Sequence, residues 1–187
     1  ARAGRWVSGT FGWWWRYDDG NYPTSTQLRI DGAIYRFNAR GYMVTGWVYE
    51  DGQWYYYGAS GGQSSGWVRV HGTWYYLDPL TGAMASGWTQ VQGTWYYLSS
   101  SGAMRTGWVR DGSAWYYLTS SGALATGWQR VGSSWYYLSP DGGAMATGWL
   151  RDGDAWYYLT SSGAMATGSR WIDGTRYVFD DEGRLMP

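Results

Sequence analysis

The sequence of 187 residues predicts an all-β protein, a solenoid of β-hairpin units of about 20 residues each. First, a Gly-Trp pair recurs at nearly constant intervals, with its tryptophan at Trp47, Trp67, Trp88, Trp108, Trp128 and Trp149. Second, 30 glycines beside only 4 prolines indicate many turns. Third, segments such as GWVRV and WYYL have the aromatic and β-branched residues typical of strands. Strict spacing of this kind is typical of repeat proteins.

Each repeat is expected to be one hairpin, numbered here from the Gly-Trp tryptophan as position 0. A Gly-containing turn follows, and position +7 is again tryptophan: Trp54, Trp74, Trp95, Trp115, Trp135 and Trp156. Position +9 is always tyrosine: Tyr56, Tyr76, Tyr97, Tyr117, Tyr137 and Tyr158. The turn glycine lies at +5 in some repeats and at +4 in others, which allows two pairing registers. Because side chains alternate along a strand, both registers place 0, +7 and +9 on one face and +1, +8 and +10 on the other.

The chain is predicted to comprise an irregular aromatic segment at 1–25 and a repeat array at 26–187. Within the array, complete units occupy 46–167, and degenerate cap units occupy 26–45 and 168–187. The cap units have lost the aromatic residues at 0, +7 and +9, where they carry Gln27, Ile34 and Arg36 or Ser169, Arg176 and Val178. Residues 1–25 leave two interpretations open, a degenerate hairpin packed on the first cap or a segment that completes an additional site.

Composition argues against several classes of function. Without cysteine there is neither a disulfide nor a thiolate metal site. Fourteen basic residues balance fourteen acidic ones, which disfavours nucleic acid as a partner. No apolar run is long enough for membrane insertion, and the start, ARAGRWVSG, is interpreted as that of a mature product or excised piece. His71 and most acidic residues lie in predicted turns, so we expect no enzyme, metal or cofactor.

The aromatic face is the candidate binding surface. Positions 0, +7 and +9 never vary in the complete units, whereas position +1 changes to Thr89, Gln129 or Leu150. Three aromatic faces without a nearby carboxylate suit a poorly hydrated cation such as a quaternary ammonium. The alternatives are that these rings only fill space between hairpins, or that they stack on sugar rings.

The stretch TGWVRDGSAWYYLTSSGALATGW, from Thr106 to Trp128, resembles the choline-binding (cell-wall-binding) repeats of bacterial surface proteins and of bacterial or phage wall lytic enzymes. The resemblance extends from Thr26 to the C-terminus. It implies a left-handed superhelix of hairpins that binds choline, and choline-decorated teichoic acid, in aromatic cages. It also implies a secreted protein of the bacterial cell wall or surface, or a phage protein acting there. A catalytic domain elsewhere in a longer protein is compatible with it, and the similar glucan-binding repeats are the alternative.

The resemblance also implies which residues form the sites. The walls are the aromatic residues at 0, +7 and +9, two from one hairpin and one from the next, so that Trp108 and Trp115 would share a site with Tyr137. Methionines of the linkers are the expected lids: Met84, Met104, Met145 and Met165. Leu124 and Gln63 occupy the lid position in two other repeats. Six complete units then define five full sites and a partial one at Trp149 and Trp156.

Overall fold

The computed structural model describes residues 3–187, which form eighteen β-strands and no helix. Consecutive strands pair into nine two-stranded sheets, so that each sheet is one hairpin. The predicted all-β array of hairpin repeats is therefore confirmed.

The strands are short, and most have five residues. Their bounds are β1 Gly4–Gly9, β2 Gly12–Tyr17, β3 Thr26–Ile30, β4 Ala33–Phe37, β5 Gly46–Glu50, β6 Gln53–Tyr57, β7 Gly66–Val70, β8 Thr73–Leu77, β9 Gly87–Val91, β10 Thr94–Leu98, β11 Gly107–Asp111, β12 Ala114–Leu118, β13 Gly127–Val131, β14 Ser134–Leu138, β15 Gly148–Asp152, β16 Ala155–Leu159, β17 Gly168–Ile172 and β18 Thr175–Phe179.

One pairing register serves the hairpins with either turn sequence. Position 0 lies opposite +9, and +2 lies opposite +7, as Trp108 lies opposite Tyr117 in β11–β12. The turn always has two residues. In β7–β8 both have positive φ, 48° at His71 and 86° at Gly72, which is a type I′ geometry. In β11–β12 the glycine comes first, with φ 57° at Gly112, as in a type II′ turn. A glycine at +4 therefore changes the turn type and leaves the register unchanged.

The core contains one fully buried side chain from position +10 of each repeat from the first cap to the last. These residues have at most 2% of their surface exposed: Phe37, Tyr57, Leu77, Leu98, Leu118, Leu138, Leu159 and Phe179. Tyr57 is the polar member of the set, and its hydroxyl accepts a hydrogen bond of 3.0 Å from Gln27 Nε2. Burial raises the pKa of the Tyr57 hydroxyl, which therefore remains neutral in the folded protein.

The chain divides into two compact units, residues 1–87 with 98–104, and residues 88–97 with 105–187. Within each unit, the linker that follows one hairpin donates a backbone hydrogen bond to the hairpin before that one. In the second unit, for example, the N–H of Met145 donates to the carbonyl of Trp115 at 2.8 Å. Position +7 of one repeat is thereby joined to the linker of the next.

Residues 1–25, expected to be irregular, contain the hairpin β1–β2, in which Trp6 lies opposite Trp15. Trp15 is buried together with Ile30 and Phe37 of the first cap, and Trp6 packs against this cluster. These contacts pack the hairpin β1–β2 on the first cap. The first cap also carries an ion pair between Arg36 Nη1 and Glu50 Oε1 at 2.6 Å.

Candidate functional site: the aromatic hollows

Trp108 and Trp115 line a hollow of about 270 Å³ that three consecutive repeats build together. The first repeat supplies both tryptophans, the second supplies Tyr136 and Met145, and the third supplies residues 161–162 of the loop after β16. Sites for drug-sized molecules occupy about 300–1,000 Å³. This hollow lies just below that range and therefore suits a smaller ligand.

Edge-to-face contacts hold the tryptophan at position 0 in place. The ring centroid of Trp108 lies 5.1 Å from that of Tyr117 in its own hairpin and 4.9 Å from that of Tyr136 in the next. The interplanar angles are 64° and 68°, a favoured geometry for aromatic pairs. Trp115, the other tryptophan wall, is 41% exposed. The hollow therefore combines a fixed wall with an open one.

The lid residue Met145 is positioned from two sides. Its backbone N–H bonds to the carbonyl of Trp115, while its side chain packs against Gly163 of the third repeat. A Cβ on Gly163 would overlap Met145 Sδ, and the φ of +82° at this glycine also disfavours any other residue. Glycine is thus required at this point of the loop because the lid occupies the space of a side chain.

The same arrangement recurs along both units. Hollows of about 380, 350 and 360 Å³ lie beside Trp6, Trp88 and Trp128, respectively. The ring of the tryptophan at position 0 contacts that of the tyrosine at +8 of the next repeat at 4.8 to 4.9 Å, as in the pairs Trp6–Tyr35, Trp47–Tyr75, Trp88–Tyr116, Trp108–Tyr136, Trp128–Tyr157 and Trp149–Tyr177.

The third wall is therefore the tyrosine at +8 of the next repeat, which sequence analysis assigned to the opposite face and did not name as a site residue. The tyrosines at +9 lie instead against the tryptophan of their own hairpin, with ring centroids 5.0 to 5.2 Å apart. Tyr137 accordingly contacts Trp128, while Tyr136 lines the hollow of Trp108 and Trp115. The cause is that a two-stranded hairpin has two accessible faces, one turned to each neighbour.

Most of the expected lids occupy equivalent places. Met145, Met165 and Leu124 line hollows. Met84 and Met104 donate backbone hydrogen bonds of 2.8 Å to the +7 tryptophans Trp54 and Trp74, as Met145 does to Trp115.

Gln63, in the linker after β5–β6, is the counterpart of these lids over the first cap. Its N–H donates to the carbonyl of Ile34, a residue at +7 that is not aromatic. This lid therefore covers a position that has lost its tryptophans.

The hairpins at the two ends of the array also contribute aromatic rings to hollows. Trp6 and Trp13 have the spacing of positions 0 and +7, and with Tyr35 and Met43 they line a hollow in front of the first cap. This hollow matches the additional site that the sequence left as one alternative for residues 1–25, although the repeat lacks a Gly-Trp pair because Arg5 precedes Trp6.

At the other end, Tyr177 of the last hairpin contacts Trp149, and Leu185 donates its N–H to the carbonyl of Trp156. The set of three rings is complete there, although a partial site was expected.

Carboxylates approach some hollows, contrary to the expectation of sites without them. Asp181 and Glu182 line the hollow of Trp128. In addition, the indole N–H of Trp128 donates to Asp152 Oδ2 at 2.9 Å, and that of Trp88 donates to Asp111 Oδ2 at 3.0 Å.

Residues 3–187 contain no group of three His, Cys, Asp or Glu side chains that could hold a metal ion. No helix in this described range is long and apolar enough to cross a membrane. His71 occupies a hairpin turn at a φ of 48°.

The family profile described as the choline-binding repeat matches residues 24–65, 51–86, 85–126 and 125–169. The chain belongs to the choline-binding repeat family. The matched residues are repeats of a binding module rather than a catalytic domain, as expected. The hairpin β1–β2 precedes the first matched residue. No curated protein sequence is significantly similar to the chain.

Solved structures of pneumococcal proteins resemble this array of choline-binding repeats. CbpJ from Streptococcus pneumoniae is 38% identical, with a TM-score of 0.83 over 94% of this chain and 62% of its own. Choline binding protein F from the same organism, solved with a peptidoglycan analogue, is 37% identical with a TM-score of 0.82, over 94% and 61%. The modular autolysin LytC is 34% identical with a TM-score of 0.72, over 98% and 42%. The chain thus spans about three-fifths of CbpJ and of choline binding protein F, and less of LytC.

Proposed function

We propose that the chain is a non-catalytic cell-wall-anchoring module that binds the choline groups of teichoic acids in its aromatic hollows through cation–π contacts. The observation that carries this proposal is the exposure of the tryptophans at +7. All six, from Trp54 to Trp156, are 40 to 44% exposed. A tryptophan that served only to fill a core would be buried, and random surface positions would not repeat one value so closely.

The chemistry of the residues that line the hollow favours a poorly hydrated organic cation over a sugar. In the hollow of Trp108 the walls are two indoles, a phenol ring and a thioether, with residues 161–162 as the polar rim. A sugar needs several hydrogen-bonding partners, whereas a trimethylammonium group needs none and is attracted by ring faces. Each ring contributes roughly 0.5–2 kcal/mol, so one hollow should bind choline at about millimolar affinity. Repeated hollows on a polymer then raise avidity by roughly 10²–10⁴.

The proposed walls are the tryptophans at 0 and +7 with the tyrosine at +8 of the next repeat. The tyrosines at +9 are proposed to support binding by holding the tryptophan at position 0. The linker residues at the lid position, such as Met145, would close the hollow against water. Similarity to choline binding protein F and LytC supports a place at the bacterial cell wall for a longer protein that contains this array.

Choline should raise the melting temperature of the protein. A ligand that contacts side chains of several repeats binds the folded array alone and stabilises it by mass action. Calorimetric or fluorescence melts in tens of millimolar choline chloride are compared with melts in equal sodium chloride and in dextran. Stabilisation by choline alone supports the proposal. Stabilisation by dextran alone would assign the hollows to sugars, and equal melts in all three solutions would leave the rings as packing only.

The N-terminal hollow is included in the proposal, although it precedes the matched repeats. Trp13 is 49% exposed, like the tryptophans at +7, and the N–H of Met43 donates to its carbonyl at 2.7 Å. Trp13→Leu should therefore reduce the choline stoichiometry measured by calorimetric titration by about one. Arg176→Ala is the matched control, because the last hairpin has an arginine at +7 and should lose nothing. An unchanged stoichiometry for Trp13→Leu would remove this hollow from the set.

A further inference from the structure

The hollow of Trp128 differs from the other hollows in the residues of its third repeat. The loop after the third hairpin supplies Ala59 and Ser60 beside Trp6, Gly142 beside Trp88, and residues 161–162, both serine, beside Trp108. Beside Trp128 it supplies Asp181 and Glu182. The chain thus contains a series of similar aromatic hollows in which one has an acidic rim.

The acidic rim retains net negative charge despite a neighbouring arginine. Arg184 donates to Asp180 Oδ2 and to Glu182 Oε2, each at 3.0 Å. Asp181 is not part of these ion pairs. Counting three carboxylates, at 180, 181 and 182, against one guanidinium gives this loop a formal charge of −2.

A further carboxylate lies at the edge of the Trp128 ring. Asp152 Oδ2 accepts the indole N–H at 2.9 Å, which adds electron density to the ring that a cation would face. Trp88 has the same contact with Asp111, but its hollow has glycine at the rim. Among the hollows of Trp6, Trp88, Trp108 and Trp128, the Trp128 hollow alone has carboxylates both at the edge of the ring and at the rim.

We propose that the Trp128 hollow binds ammonium groups that carry N–H donors, such as protonated primary amines, in addition to quaternary ammonium. This inference rests on the proposed function, because it assumes that these hollows take organic cations. A primary ammonium ion loses strong hydration when it enters an apolar hollow, and walls of carbon atoms return no hydrogen bond. Carboxylate oxygens of Asp181 and Glu182 at the rim accept N–H bonds and offset that loss.

The rim side chains are exposed, 69% in the case of Glu182, so solvent and salt weaken their effect. We expect choline to bind the Trp128 hollow only a few-fold more tightly than the neutral hollows at low salt. This advantage should disappear at about 0.5 M salt, where the Debye length is only a few ångströms. Selectivity between amine types should be larger than this, because no aspartate or glutamate lines the hollows of Trp6, Trp88 and Trp108.

The test is calorimetric titration with choline chloride and with ethanolamine hydrochloride at neutral pH and low salt. The wild-type protein should bind ethanolamine at one site and choline at several. The double variant Asp181→Asn with Glu182→Gln should lose the ethanolamine site and keep its full choline stoichiometry. The reciprocal variant, Ser161→Asp with Ser162→Glu, should gain an ethanolamine site at the Trp108 hollow.

The outcomes separate this inference from the function on which it rests. Choline binding without any ethanolamine site, or an ethanolamine site that survives in the double variant, would overturn the inference and leave the choline proposal intact. Failure of choline itself to bind would overturn both. Trp135→Leu should remove the ethanolamine site together with one choline site, and an ethanolamine site that remains in this variant would place it outside the Trp128 hollow.

Discussion

Trp115→Leu should leave the protein folded and bind one choline fewer than the wild type. Leucine keeps much of the apolar volume but has no π face, so the Trp108 hollow loses its open wall. Because Trp115 is 41% exposed, its replacement even by alanine should cost about 2–3 kcal/mol of stability, and replacement by leucine less. Calorimetric titration gives the number of sites, and a thermal melt shows that the variant is folded.

Two controls make the result specific. Trp171→Leu removes a tryptophan that is 74% exposed in the last hairpin and should leave the stoichiometry unchanged. Tyr136→Leu should remove the same site as Trp115→Leu. Tyr137→Leu should keep that site, because Tyr137 contacts Trp128 and should at most weaken the Trp128 hollow. A full complement of choline in Trp115→Leu would mean that the aromatic rings serve packing alone.

Gly163→Ala should disable the Trp108 hollow although Gly163 lies two repeats after Trp108. A methyl group at this glycine overlaps the Met145 side chain, so the lid must move, and the positive φ adds roughly 1–2 kcal/mol of backbone strain. We expect the affinity of one site to fall about tenfold or more, together with a lower melting temperature. Titration across a wide choline range would resolve the weakened site.

Gly168→Ala separates strain from the lid. Gly168 has a φ of +67°, and a methyl group there would meet no atom within 4 Å. It also precedes Ser169 rather than a tryptophan. This variant should lose comparable stability while keeping every choline site. Equal loss of binding in both variants would show that strain, and not the position of Met145, controls the hollow.

Sequence reasoning located the hairpins and the tryptophan pair of each complete unit because both follow from local spacing. It assigned the third ring of each hollow to the wrong tyrosine. Alternation along a strand shows on which face of the hairpin a side chain lies, but not which neighbouring hairpin that face contacts. Tyr136 and Tyr137 are adjacent in sequence, and only the contact between successive hairpins decides that Tyr136 meets Trp108. Two interpretations of the N-terminal segment stayed open because Arg5 rather than glycine precedes Trp6 and because the turn at Thr10 and Phe11 contains no glycine.

The carboxylates of the Trp128 hollow could not be predicted in this way. Asp181 lies two repeats after Trp128 in sequence, in a loop with the composition of an ordinary solvated turn. Its position at the rim depends on the dimensions of two intervening hairpins. Local patterns contain no information about such a contact until the stacking of repeats is known.

Because three repeats build each hollow, neighbouring hollows share repeats. The hairpin β13–β14 and its linker supply Tyr136 and Met145 to one hollow and Trp128 with Trp135 to another. A guest in either hollow therefore restrains a segment that the other guest also restrains. More than one bound ligand would have to dissociate before one repeat could separate from its neighbours. We therefore expect an array bound to a polymer to withstand much higher mechanical force than the low affinity of a single hollow suggests.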